Sequence, residues 1–278
     1  MTGKLDSGLH VAATPIGNLG DVSDRLKSAL AGADRIVCED TRVAGKLLNA
    51  LGIEKPPLTA YHEHNAAQVR PGILDALDAG AAIVLVSDAG TPLISDPGYK
   101  LVREARERGL PVRAIPGPSA LTAALSVSGA PTDRFSFLGF LPRTRAQRES
   151  ALAGVAERRE TLVAYETAPR LATSLAAIAE TLGNRRVSVA RELTKLHEEV
   201  VEGPARELAQ RYDKHPPKGE IVLLIHPGER EAPDLDTVLT ALLEKESVRE
   251  AAREAAARTG LPRKDCYARA LELKGSDQ

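Results

Sequence analysis

The residues that could do chemistry in this chain gather in short loops, each after an apolar run. The run Ala82–Val86 leads into Ser87-Asp-Ala-Gly-Thr-Pro-Leu-Ile-Ser-Asp-Pro-Gly98. Ionised Asp side chains only accept hydrogen bonds, which suits ribose hydroxyls or an amino group. Ala89 and Gly90 leave room for a ligand to approach the backbone. Without a ligand, the same residues read as an Asx-type turn and a helix start. Leu9–Ala13 leads into Thr14-Pro-Ile-Gly-Asn-Leu-Gly-Asp21, between a strand and a helix, where a nucleotide loop would stand. That loop is neither G-x-G-x-x-G nor a Walker A motif and it contains no Lys. A nucleoside triphosphate is therefore not the expected ligand.

Smaller groups recur at other strand ends. Pro116-Gly-Pro-Ser-Ala120 offers Ser119 as a helix cap, or its N–H as a ligand contact. Glu39-Asp-Thr-Arg42 carries three charges, a solvated strand end or part of a site. His62-Glu-His-Asn65 puts two imidazoles on one strand face. Two ligands do not complete a zinc site and no third is evident, so no metal is expected. Arg143, Arg145 and Arg148 form a basic cluster, either a solvated helix face or a phosphate contact. Tyr165-Glu-Thr-Ala-Pro-Arg170 and Arg191-Glu-Leu-Thr-Lys195 each follow a strand and hold charges.

These loops must be positioned by regular elements. Apolar runs predict strands at Leu9–Ala13, Arg35–Cys38, Ala82–Val86 and Val112–Ile115. Between them, helices are predicted at Arg25–Ala31, Val43–Leu51, Ile73–Asp78 and Tyr99–Arg108. Gly52, Gly80 and Gly109 stop three of these. Such alternation indicates an α/β domain with a mainly parallel sheet. The Ala82–Val86 run is so apolar that both faces should be covered. Pro116-Gly-Pro118 breaks the pattern and ends a first domain, 1–118. A second α/β domain, 119–228, follows. Its predicted strands lie near Phe135–Leu138, Leu162–Tyr165, Arg186–Ala190 and Ile221–Ile225. Its helices are Arg145–Arg158 and Arg170–Leu182. Some connections are short enough for hairpins, so this sheet should be mixed.

Beyond Pro227-Gly228, the polar segment Glu229–Asp236 reads as a linker. Helices follow at Leu235–Leu243, Val248–Ala257 and Asp265–Leu273, with a turn at Thr259-Gly-Leu-Pro262. Ala251, Ala255, Leu261, Cys266 and Ala270 form their expected small core. The arrangement of 229–278 is that of a helix-turn-helix.

The composition excludes several function classes. The 278 residues are 43% hydrophobic and 27% charged, as in a folded globular protein. Lys plus Arg (37) balance Asp plus Glu (38) at a net charge of −1. Any nucleic-acid surface must then be a local patch. Three Phe, five Tyr and no Trp are too few for a base-stacking platform. The two cysteines, Cys38 and Cys266, form no Cys-x-x-Cys pair, and a reducing cytoplasm fits them. The N-terminal residues lack a signal-peptide core, and no run approaches a membrane span.

Taken in order, these motifs, with Asp133-Arg-Phe135 and Gly139-Phe-Leu-Pro142, closely resemble the tetrapyrrole methylase superfamily, the class III methyltransferases. Within it they resemble the branch that methylates the ribose 2′-hydroxyl of a decoding-centre cytidine in 16S ribosomal RNA. The likeness runs from about Leu9 to Ile225 and extends to the C-terminal helices. It implies S-adenosyl-L-methionine as methyl donor, in a cleft between the two α/β domains. It also implies a homodimer acting on 16S rRNA in the small ribosomal subunit, with no membrane partner. Carried over, the donor contacts are Pro15, Gly17, Ser87, Asp88, Ala89, Gly90, Leu93, Ser119, Ala120, Tyr165, Glu192 and Gly219. One position departs from the family pattern Tyr-Glu-Ser-x-His-Arg: Pro169 stands where the His would be. That His is therefore not an indispensable base here.

Ribose methylation needs alignment of a weakly acidic hydroxyl and removal of its proton. Glu39 and Asp40 are the expected proton acceptor or orienter. Lys195 is expected to stabilise the developing alkoxide. Arg42, His62, His64, Asn65, Arg143, Arg145 and Arg170 are the expected RNA contacts. Two other readings compete. A tetrapyrrole acceptor is disfavoured because Gly-x-Gly-x-Gly-Asp-Pro and Gly-Asp-Pro loops are missing. A nucleic-acid-binding regulator acting through the C-terminal helices leaves most loop motifs unexplained.

Overall fold

The computed structural model describes residues 5–228 and 234–276. It forms two compact units that meet in sequence at Pro227 and Gly228. Residues 1–4 and 229–233, which hold most of the expected linker, lie outside the described residues. None of the described helices is long and apolar enough to cross a membrane.

The first unit contains two five-stranded sheets. Its strands are β1 Gly8–Ala12, β2 Arg35–Cys38, β3 Leu58–Ala60, β4 Ala82–Leu85, β5 Val112–Ile115, β6 Phe135–Phe140, β7 Thr161–Thr167, β8 Arg186–Arg191, β9 Glu199–Pro204 and β10 Glu220–Ile225. Its helices are α1 Asp24–Gly32, α2 Thr41–Ala50, α3 Ala66–Asp78, α4 Tyr99–Glu107, α5 Ala120–Val127, α6 Arg145–Ala153, α7 Leu171–Thr181 and α8 Ala205–Lys214.

The first sheet runs β3-β2-β4-β1-β5 and its paired strands are parallel. Every residue of β4 is buried. Core residues lie on both sides of the sheet, such as Leu26, Leu30 and Ile36 in one cluster and Ile73, Leu74 and Leu101 in another. A strand covered on both faces cannot alternate apolar with polar, which is why Ala82–Leu85 reads as a continuous run. The second sheet runs β6-β7-β10-β8-β9. β6 and β7 are parallel and the other pairings antiparallel, so the sheet is mixed.

Three elements were not evident from local pattern. β3 is three residues after a Pro-Pro pair, and β9 is an edge strand interrupted by Glu199 and Glu202. The run Ala205–Lys214 is rich in charge, yet buries Ala205, Leu208, Ala209 and Tyr212 on one face. α5 follows Ser119, as the cap reading expected, but the Ser119 side chain makes no capping hydrogen bond. α3 begins at Ala66 rather than Ile73 and carries Pro71 inside it. α6 ends at Ala153, five residues before the expected Arg158, and Gly154 caps it.

The second unit holds α9 Leu235–Leu243, α10 Val248–Thr259 and α11 Arg263–Ser276. Ser247 and Glu250 make a capping box, satisfying otherwise free backbone donors at the start of α10. Gly260 takes the left-handed conformation (φ +74°) that ends it. Leu239, Leu242, Ala251, Ala252, Ala255, Cys266 and Ala270 form the core. Leu261, expected in that core, is 43% exposed instead. It lies in the turn just past Gly260, outside both helices, so no helical face carries it inward.

Candidate functional site

Parallel strands release their loops at one edge of the sheet, and a strand crossing decides which loops meet. Paired residues of β1 and β4, such as Gly8 and Ala82, lie 74 positions apart in the chain but adjacent in the sheet. The loops that follow them are clasped by backbone hydrogen bonds. Thr14 N–H donates to the Gly90 carbonyl (2.8 Å), and Gly90 N–H donates back to Thr14 (3.1 Å). The Thr14 hydroxyl donates to the Ser87 carbonyl (3.2 Å), and the Ser87 hydroxyl to the Gly90 carbonyl (3.2 Å). Thr91 Oγ1 donates to the Pro118 carbonyl (3.0 Å), tying in the loop before α5. Gly90 is required here. It has φ +82°, and a Cβ would come within 3.3 Å of Ile16 Cγ2.

Two cavities open beside this clasp. The larger, about 510 Å³, lies between the two sheets' loops. Of the expected residues it collects Asp88, Ala89, Gly90, Ser119, Ala120, Tyr165 and Gly219. It adds residues that were not among the expected donor contacts: Asp96, Phe140, Glu166, Pro169 and Glu220 among them. Asp96 sits within a loop already singled out and Glu220 follows Gly219, so proximity in sequence was the available signal. Tyr165 packs edge-on against Phe140, ring centres 5.5 Å apart, and against Phe137 at 4.9 Å.

The smaller cavity, about 370 Å³, collects Pro15, Gly17, Ser87 and Lys195, and shares Ile16, Asp88, Ala89 and Glu220 with the larger one. Its remaining wall is the face of α2 bearing Val43, Leu47 and Ala50, at helical spacing. Leu93, expected among the donor contacts, lies outside both linings. It packs into the core of the first sheet and against Gly98.

Carboxylates dominate the electrostatics. Burial, then the neighbouring Glu39 charge, pushes Asp96 up to about 6. Burial also raises Asp88, and raises Glu39 with help from the Asp88 charge. Asp40 behaves oppositely. Its oxygens accept from the Arg42 backbone N–H (2.8 Å) and from Arg42 Nη2 (2.6 Å), which holds its carboxyl down at about 2. Asp40 caps α2, and its own N–H donates to Asp88 Oδ1 (3.1 Å). Glu39 and Asp40 are both absent from the two cavity linings.

Lys195 Nζ donates to Glu192 Oε1 (2.8 Å) and Glu220 Oε2 (3.0 Å). Burial lowers this ammonium's pKa, but the two hydrogen bonds outweigh it and the net shift is upward. It therefore stays a cation. Glu192 and Thr194 hold φ of +50° and +66°, rare for residues with side chains, so this loop is held in a strained form. Glu192 lies directly over Gly219.

The expected RNA contacts are dispersed. Asn65 shapes a turn, accepting from His62 N–H (2.8 Å) and donating to the Ala60 carbonyl (2.9 Å). The His62 and His64 rings are 6.0 Å apart, and no metal-holding cluster occurs among the described residues. Arg145 pairs with Glu149 and Glu180, while Arg143 is exposed. Arg148 is buried and donates to the carbonyls of Pro142 and Arg143. Arg170 is turned inward. It donates to the carbonyls of Leu141 (2.5 Å) and Pro142 (3.0 Å) and to the fully buried Glu166 carboxylate (3.2 Å).

Comparison with known proteins places this geometry in context. Residues 8–209 match the family described as Tetrapyrrole (Corrin/Porphyrin) Methylases, and residues 229–274 match the RsmI C-terminal HTH domain. A Mesorhizobium japonicum protein named ribosomal RNA small subunit methyltransferase I is 47% identical over 275 residues, covering 97% of this chain and 93% of that one. A protein of the same name from Erythrobacter litoralis is 52% identical over 273 residues, covering 97% and 96%. Among solved structures, the methyltransferase CobJ superposes with a TM-score of 0.57 at 21% identity, over 80% of this chain and 95% of that one. The uroporphyrin-III C-methyltransferase of Thermus thermophilus, complexed with S-adenosyl homocysteine, gives 0.53 at 20% identity, over 80% and 97%.

Proposed function

This chain belongs to the tetrapyrrole methylase family and, within it, to the ribosomal RNA small subunit methyltransferases I, and from that membership we propose that it methylates the ribose 2′-hydroxyl of a decoding-centre cytidine in 16S rRNA with S-adenosylmethionine as donor. The observation that carries the reading is the larger cavity. Its apolar walls converge on the carboxylates of Asp88, Asp96 and Glu220. A donor bearing a sulfonium and an ammonium, an adenine and a ribose fits that combination. Acidic groups neutralise its cations, and Tyr165 and Phe140 offer aromatic surface.

When bound, the donor supplies an electrophilic methyl whose sulfur leaves as a neutral thioether, so no acid is needed. This chain's residues then have two tasks, alignment and proton removal. Of the charged groups at the strand ends, Asp40 is a poor proton acceptor because Arg42 saturates it. Asp88, raised by burial and lining both cavities, is the better one, whereas Glu39 lies outside both linings. Lys195, held as a cation, offsets negative charge developing on the ribose oxygen. Pro169, in the family's His position, lines the larger cavity and cannot exchange a proton.

We read the division at residues 118 and 228 as domain boundaries, and the working form as a cytoplasmic homodimer. The test is in vitro methylation of unmodified small subunits with labelled donor, naked 16S rRNA as control, and mass mapping of the product. A single 2′-O-methylated cytidine in the decoding centre is the expected result. Methylation elsewhere, or on a base atom, overturns the reading.

A further inference from the structure

The smaller cavity is lined by three expected donor contacts, Pro15, Gly17 and Ser87, and also by a face of α2 for which the donor reading has no use. It stands against the donor cavity and shares four residues with it: Ile16, Asp88, Ala89 and Glu220. One wall is aliphatic, from Val43, Leu47 and Ala50 of α2, and faces the turn at Pro15 and Ile16. The polar groups lie at the edges: Asp88 and Glu220 on the shared wall, Lys195 beside them, and Lys46 on α2. Lys46 is exposed and makes no ion pair among the described residues. Arg42 lies one helical turn before it, with its side chain 85% exposed. A small slot with one aliphatic wall, carboxylates on the wall it shares with the donor cavity, and Lys46 and Lys195 in its lining carries the groups that a nucleotide site needs. The base would lie against the aliphatic wall, the ribose would face the donor, and the phosphates would meet Lys46 and Arg42.

Resting on the function proposed above, we propose that this cavity receives the target nucleotide, turned out of the ribosomal RNA, as a pocket distinct from the donor's. The charge pattern commits the occupant to an anionic nucleotide rather than an apolar peptide. A volume of about 370 Å³ is near the lower end for ligand pockets, which fits one nucleotide rather than a stacked pair. No aromatic residue lines it, so the pocket would select by size and by edge hydrogen bonds rather than by stacking. Because the ribose must reach the shared wall, Asp88 is the side chain set to face its 2′-hydroxyl from this side.

The test fills the slot without touching the donor cavity. Ala50 is exposed on α2 and lines only the smaller cavity. Ala50→Trp should weaken binding of unmodified small subunits by roughly tenfold or more. That is read by co-sedimentation in the presence of S-adenosylhomocysteine, with the KM for subunits rising in parallel. Donor affinity by calorimetry should stay within about twofold. Lys46→Glu, a surface change that should not perturb folding, should act in the same direction and decides the matter if the Trp variant does not fold. Wild-type subunit binding in both folded variants overturns the proposal. So does a matching loss of donor affinity, which would give the slot to the donor. If the wild-type protein neither retains S-adenosylmethionine nor methylates subunits, the proposed function itself fails. An active wild type with unaffected variants removes this inference alone.

Discussion

The stem of Lys195 lies on Gly17, where an added Cβ would stand 2.5 Å from Lys195 Cγ. Lys195 comes from the loop after β8 in the second sheet, and Gly17 from the loop after β1 in the first. The contact joins the two halves of the site. Gly17 also has φ +147°, a conformation that residues with side chains rarely adopt.

Gly17→Ala should therefore displace the ammonium from Glu192 and Glu220, and strain the turn by about 1–3 kcal/mol. We expect a lower melting temperature and a kcat reduced by up to about a hundredfold, since small misplacements at a site are costly. Melting curves and steady-state methylation of small subunits check this. Wild-type kcat in a stably folded variant would show that the position of Lys195 is irrelevant to the chemistry.

Asp40 and Arg42 form a closed pair at the start of α2. Asn caps a helix about as well as Asp. Asp40→Asn should then leave kcat and the melting temperature nearly unchanged, while Asp40→Ala should loosen the helix start. A large fall in kcat for the Asn variant, with donor affinity intact, would return Asp40 to the reaction.

Asp96, raised to about 6 from 3.8, gives the site a pH dependence. A carboxyl whose folded pKa is raised favours folding most below its unfolded pKa. That contribution is lost as pH climbs through the folded value. Asp96→Asn should thus raise the melting temperature at pH 8 and have much less effect below pH 4. The ionised form is also the one that attracts a cationic donor. Wild-type donor affinity should fall as pH drops from 7 to 5, and the fall should be shallower in Asp96→Asn. Parallel calorimetric titrations for the two proteins would remove Asp96 from donor binding.

Arg170 compensates the Glu166 carboxylate, which has no exposed side-chain surface. Ser174 Oγ (2.6 Å), Thr167 N–H (2.8 Å) and Thr167 Oγ1 (3.5 Å) are its other donors. Arg170→Ala should cost about 3 kcal/mol, because it leaves a buried charge without its cation. Chemical denaturation measures it. A loss confined to RNA affinity, at unchanged stability, would instead place Arg170 on the RNA.

Arg143 and Arg145 should separate in a salt titration. Arg143 is exposed, whereas Arg145 already faces Glu149 and Glu180. Arg143→Ala should lower the slope of log affinity against log salt by about 1. Arg145→Ala should change it less. Equal slopes in wild type and Arg143→Ala would leave the cluster merely solvated.

Much of this architecture was readable from residue order. The Ala82–Leu85 run declared a strand covered on both faces. Gly52, Gly80 and Gly109 marked the ends of helical stretches. The Ser87–Gly98 and Thr14–Asp21 loops stood out by composition and line the cavities. These are local signals, because periodicity, caps and turns act over a few residues. β3 and β9 escaped because short edge strands need no continuous apolar run.

What a side chain does with its charge is not a local property. Asp40, Arg170 and Lys195 look alike in sequence, as charges at strand ends. Only the fold shows Asp40 saturated by Arg42, Arg170 turned inward to Glu166, and Lys195 reaching across to Gly17 and Glu220. The amino-acid order by itself determined which loops carry chemistry and on what kind of scaffold. Strand crossing, which sets β1 beside β4 and brings two sheets together, decided which loops meet and that they enclose two cavities rather than one. The physical reason is separation along the chain. Contacts between residues tens of positions apart arise from burying whole faces of helices and sheets, and no short window of sequence contains both partners.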